Sequence, residues 1–112
     1  MSIVGILLDT AYQDTQLIIS NDESGDDFSI PRDIEFILYA KNEEEAELVT
    51  NFINDNQYGT ASFQEVDNKY RIMVVVYMPS TQQLVCSVSG LMACISELFS
   101  VEYDGWGCVL QN

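Results

Sequence analysis

Downstream of Pro79, Leu84, Val88, Leu91, Met92, Ile95, Leu98 and Phe99 recur at intervals of three and four, the spacing that stacks side chains along one face of an α-helix. A helix with one apolar face must bury it against a second layer, and the segments around it supply one. Ile72-Met73-Val74-Val75-Val76 is apolar throughout, which predicts a central strand covered on both faces. From 33 to 40, Ile34, Phe36 and Leu38 alternate with other residues, and Ile37 and Tyr39 make the second face apolar too. This predicts another central strand, also covered twice.

Between these strands Asn42 is followed three residues later by Glu45, the capping-box spacing that satisfies unpaired N–H groups of a first helical turn. The helix so opened carries Ala46, Val49, Phe52 and Ile53 inward and ends at Asp55-Asn56, with Asn56 as the left-handed residue. Residues 58–66 and 70–78 form a hairpin through Asp67-Asn68-Lys69, and residues 101–110 a last strand interrupted at Asp104-Gly105-Trp106-Gly107. Ser80 or Thr81 caps the long helix, and Gly90 within it suggests close approach to the sheet. The order strand, helix, strand, strand, helix, strand predicts an α+β, ferredoxin-like βαββαβ fold: a four-stranded antiparallel sheet with two helices on one face. A short N-terminal segment and acidic linker occupies residues 1–27 and the domain residues 28–112. In that segment Asp9 or Thr10 caps a short helix running to about Ser20, and its apolar start shelters on the other sheet face or an edge.

The 112 residues hold 18 acids, 4 bases and no histidine, for a net charge of -14. Such charge alone favours disorder, but 47% apolar residues, with one Trp, six Tyr and five Phe, leave enough surface to bury. A polyanion is repelled by nucleic-acid phosphates and anionic lipid heads, so no direct nucleic-acid or membrane binding is expected. Without histidine there is no Ser-His-Asp or Cys-His arrangement and no histidine metal site. Residues 1–56 carry 13 acids and 2 bases, residues 57–112 only 5 acids and 2 bases, so a cationic partner meets the first half more strongly. Cys86 and Cys94 lie eight residues apart on one helix, ~12 Å along its axis, too far for a disulfide. With Cys108 they are expected to be buried, reduced thiols, as in a reducing cytoplasm. Residues 1–8 are apolar but too short for a signal peptide and lack a positive side chain. No stretch approaches a membrane span, and the expectation is a cytoplasmic, untargeted protein.

Few residues carry chemistry. The run from Asp22 to Asp27 resembles a calcium loop only in composition: with Gly25 at the turn, the terminal bidentate ligand would fall on Pro31. It reads as a solvated loop, and no metal or cofactor is expected. Glu43, Glu44 and Glu47 are either a docking face for a basic partner or a favourable start to a helix whose dipole attracts anions. No nucleophile is placed beside a base, so no catalytic residue is assigned and the chain is not expected to be an enzyme. Gly105 and Gly107 flank Trp106 without a following helix, which excludes a phosphate loop and points to a bulge with the indole buried. Tyr103, Asp104 and Trp106 as partner contacts is the alternative.

The run Phe99-Ser100-Val101-Glu102-Tyr103-Asp104-Gly105-Trp106-Gly107 resembles the closing signature of the RraB family, the regulators of ribonuclease E activity B, in which F-x-V-E-Y-D-G-W-G ends the domain. The similarity extends over about residues 28–110 as a pattern of elements and strong negative charge. It implies a ferredoxin-like fold, a bacterial setting, and a protein inhibitor of ribonuclease E that regulates RNA turnover without touching RNA. The implied docking site is the nuclease's non-catalytic region, with its arginine-rich segments. Glu102, Tyr103, Asp104, Gly105, Trp106 and Gly107 match the signature.

The leading expectation is therefore an acidic regulator, monomeric or weakly dimeric, that binds a ribonuclease E-type protein or another basic, Arg-rich segment. An immunity-type protein that covers a basic toxin nuclease is a rival from another target class. A small-molecule sensor or enzyme is a third, because ferredoxin-like domains host both. A pull-down separates the first two; an apolar pocket with convergent carboxylates would favour the third.

Overall fold

The computed structural model describes residues 2–111; Met1 and Asn112, the outer ends of the two predicted regions, lie outside them. Seven elements follow in order: α1 (Ile3–Glu23), β1 (Arg32–Ala40), α2 (Glu43–Asp55), β2 (Thr60–Val66), β3 (Lys69–Met78), α3 (Gln82–Phe99) and β4 (Glu102–Cys108). The fold is α+β. The four strands form one antiparallel sheet in the order β2-β3-β1-β4, so β1 and β3 are central as their apolar content predicted.

One face of the sheet meets the helices. Ile34, Phe36 and Leu38 of β1 and Ile72 and Val74 of β3 point there and are wholly buried with Ala46, Val49 and Ile53 of α2 and Val85, Met92 and Ile95 of α3. On the other face, the expectation of cover on both sides is overturned: Ile37, Tyr39, Met73 and Val75 are half-buried and Tyr77 is exposed. No helix among the described residues lies over them. Their bulk is accommodated in cross-strand pairs, Ile37 with Met73 and Tyr39 with Arg71, the contacts that make β-branched and aromatic residues favourable on a half-open sheet.

The N-terminal segment is helical as expected, but the expected cap at Asp9 or Thr10 and the short length are overturned. The short segment is a third, 21-residue helix that starts at Ile3, where the Ser2 hydroxyl accepts from the Gly5 N–H. Packing explains its length: α1 lies along α3, where its apolar start meets α3 through Leu7 and Gly90, reaches the sheet edge at β4 through Asp14 and Trp106, and contributes Ile18 to the core. A helix with two neighbours buries two faces, which corrects the stripe expected on α3. Val85, Ser89, Met92, Ala93, Ile95 and Ser96 are buried, whereas Leu84 and Leu98 are exposed. Gly90 faces Leu7 of α1 and not the sheet; an added Cβ would meet Leu7 at 3.6 Å, ordinary contact. With 18 residues of mean hydropathy 1.2, α3 is long and apolar enough to cross a membrane by length and composition, contrary to expectation, yet Val85, Met92 and Ile95 belong to the core.

Smaller corrections have local causes. The hairpin loop has two residues, Asp67 and Asn68, both at positive φ (50° and 66°), the geometry whose twist matches paired strands. The Asn42 side chain caps α2 by accepting from the Glu45 N–H at 2.8 Å, but Asn56 is not left-handed; Gln57 is, at φ 58°. Asp22 and Glu23, expected in the acidic loop, close α1, and the loop after them is not wholly solvated. Its Asp26 is buried and pairs with Arg32 at 2.6 Å, and it also accepts from the Gln111 N–H, tying the loop to the chain after β4. All three cysteines are free, but Cys94 is exposed on the outer side of α3 and Cys86 and Cys108 are half-buried.

Candidate functional site

β4 is an edge strand with one irregularity. Ile37 of β1 pairs with Gly105 and Leu38 with Tyr103, leaving Asp104 as an extra residue, and Gly105 has φ +97°. This is the bulge expected from the two glycines. In an unbroken strand, residues three apart point to opposite faces. The bulge resets that alternation and turns both Tyr103 and Trp106 toward the helices.

The two rings meet α1 and α3 around one carboxylate. Trp106, 9% exposed, donates its indole N–H to Asp14 Oδ1 at 3.0 Å. The Ser89 hydroxyl donates to the same oxygen at 3.0 Å, and the Tyr103 hydroxyl lies 2.7 Å from Ser89 Oγ. Since Ser89 has a single proton and gives it to Asp14, Tyr103 is the donor in the last bond. Asp14 is only 4% exposed, and its Oδ2 has no hydrogen-bond partner among the described residues. Burial raises its carboxyl above the ordinary aspartate value, and the bonds from Ser89 and Trp106 offset part of that rise. Burial likewise pushes the Tyr103 hydroxyl and the Cys86 thiol up, each with a smaller contribution from the Asp14 charge, so both stay protonated at neutral pH.

Between α1 and the bulge runs a groove of about 200 Å³, lined by Asp9, Gln13 and Asp14 on one side and Tyr103, Asp104 and Gly105 on the other. Asp9 and Asp104 are exposed at its rim. Two hydroxyls and an indole around a carboxylate can hold its orientation. They provide no nucleophile activated by a base.

The other predicted residues lie elsewhere. Glu43, Glu44 and Glu47 are exposed on the outer face of α2, where Glu44 and Glu47 flank a shallow depression with Leu48, 57% exposed. Because α2 sits over β2 and α3 over β4, at opposite edges of the sheet, the structure does not bring the acidic helix together with the signature. Within the signature, Tyr103, Asp104 and Gly105 line the groove, and Trp106 meets it through its bond to Asp14. Glu102 is exposed, 3.7 Å from Lys69, and Gly107 pairs with Glu35.

Asp14 and Ser89 are the residues that sequence reasoning missed. A signal was present: Leu7, Ala11, Asp14 and Ile18 recur at four, three and four, which places one carboxylate in an otherwise apolar helical stripe.

Comparison with protein families matches residues 12–108 to the model of RraB, regulator of ribonuclease activity B. The match includes most of α1 and reaches the end of β4. No curated protein sequence matches the chain.

Proposed function

The chain belongs to the RraB family, the regulators of ribonuclease activity B, and from that premise we propose that it is a bacterial, cytoplasmic, non-enzymatic regulator that inhibits a ribonuclease E-type endoribonuclease by binding it as a protein. The order βαββαβ from β1 onward and the strand order β2-β3-β1-β4 support reading the fold as ferredoxin-like, with α1 added in front.

The observation that carries the functional reading is the exposed acidic face of α2. Glu43, Glu44 and Glu47 stand in solvent, Glu44 and Glu47 beside the exposed Leu48, on a chain with a net charge of -14 whose most buried base, Arg32, is already paired with Asp26. Such a face draws in an Arg-rich segment, raises the encounter rate and competes with RNA for the same cations. The apolar patch at Leu48 then gives the docked segment something to hold.

Reversing Glu43, Glu44 and Glu47 together to Lys tests this. The variant should fold normally, since all three side chains are exposed. Its association with an immobilised ribonuclease E-type enzyme should slow by about tenfold or more at low salt, and inhibition of RNA cleavage should fall with it. Equal association rates at low salt would remove α2 from the interface. Wild-type protein that neither binds nor inhibits the enzyme would remove the function.

A further inference from the structure

We propose that the groove between α1 and the β4 bulge receives an arginine side chain of the partner protein, with Asp14 as its anchor; this rests on the reading of the chain as a binder of basic protein segments. Buried carboxylate oxygens are almost always hydrogen-bonded, and Asp14 departs from that at one atom: Oδ1 accepts from both Ser89 and Trp106, while Oδ2 is buried without a partner. A buried carboxylate left partly unpaired is destabilising until a cation arrives. The groove reaches this carboxylate and carries two more at its rim, Asp9 and Asp104. The protein supplies no base of its own there: no Lys or Arg among the described residues lines the groove.

The geometry favours guanidinium over ammonium. An ammonium carries its three donors on one nitrogen, so it bonds only those carboxylates that close around a single point. A guanidinium has five N–H donors in a rigid planar fork; its entry requires Asp14 to turn its buried Oδ2 toward the groove, where the fork bonds it together with a rim carboxylate. The groove, about 200 Å³, has room for a side chain and not for a helix. Tyr103 and Trp106 act as positioning residues: through Ser89 and directly, they hold Oδ1 so that Oδ2 is the oxygen left over.

The test uses an end-blocked hexa-arginine peptide, a hexa-lysine control, and the ¹⁵N-labelled full chain at low ionic strength. Trp106 is the single tryptophan, so its indole N–H gives one assignable resonance bonded directly to Asp14. Hexa-arginine should shift that resonance saturably and bind more tightly than hexa-lysine. Asp14→Asn, in which the amide oxygen can still accept from Ser89 and Trp106, should weaken hexa-arginine binding about tenfold or more. An Asp9→Asn/Asp104→Asn double variant, altered only at exposed positions, should weaken it as well and covers the case in which Asp14→Asn does not fold. Peptide binding that leaves the indole resonance unmoved and is equally tight in both variants would overturn the groove while leaving the acidic-regulator reading in place. Wild-type protein that binds neither peptide would overturn both.

Discussion

Asp14 shows how one misplaced-looking charge organises its neighbours. A carboxylate on the inner face of a helix costs desolvation, and the chain offsets that cost with the Ser89 hydroxyl and the Trp106 indole. Burial still wins, so the folded state holds this proton more tightly than the unfolded chain does. The sign follows: the stability Asp14 contributes is fully present below the ordinary value of 3.8 and is lost as pH rises through the raised folded-state value. Asp14→Asn has no such titration. Its stability relative to the wild type should therefore decline as pH is lowered from 7 toward 4, read from urea unfolding by the fluorescence of Trp106. A relative stability that climbs on acidification would mean that the hydrogen bonds outweigh burial. At this scale the indole was legible from its flanking glycines, because backbone freedom is written in residue type. Its partner 92 positions away was not, because no local pattern ties α1 to β4.

Among the elements, β4 and α3 carry the instructive cases. The bulge at Asp104 depends on Gly105 at φ +97°, where an L side chain is strained whatever the space around it. A Cβ there would meet nothing within 4 Å, and the same holds at Gly107, which lacks the positive φ. Gly105→Ala should therefore cost ~1–2 kcal/mol through the dihedral alone, and Gly107→Ala should stay within ~0.5 kcal/mol. Urea unfolding of the two variants compares them directly, and equal losses would place the cost in packing instead of the bulge. For α3, periodicity predicted the helix correctly but aimed it wrongly. Leu84 and Leu98 lengthen the apolar stripe in sequence, yet the face toward α1 is made of the smaller Ser89 and Gly90, which permit close approach and a hydrogen bond to Asp14. Small residues leave no hydrophobic signal, so a second buried face is invisible to a pattern that counts only large side chains.

For the molecule as a whole, charge is the dominant fact. Arg32 is spent on Asp26 inside the fold, Arg71 pairs with Tyr39 on the open sheet face, and Lys41 and Lys69 gather beside Tyr39 and Glu102 at one end of the sheet, so among the described residues no base lines the groove or the depression on α2. A basic partner should therefore be steered from a distance. Raising ionic strength from 0.01 to 0.15 M shortens the Debye length from ~30 to ~8 Å, and the association rate should drop ~10-fold or more while dissociation changes far less. Stopped-flow mixing with the proposed ribonuclease partner measures both, and a salt-indifferent association rate would show that shape and not charge guides the encounter.

Strand and helix order, the two central strands, the α2 cap and the β4 bulge could be read along the chain, since each depends on a residue's own backbone preference or on neighbours a few positions away. What the chain could not disclose was the full length of the N-terminal helix and its packing on α3, the sheet face left open, and the Asp14 cluster that joins α1, α3 and β4. Those depend on which surfaces meet in space, and burial of a lone carboxylate or a small serine acquires meaning only from the neighbour placed against it.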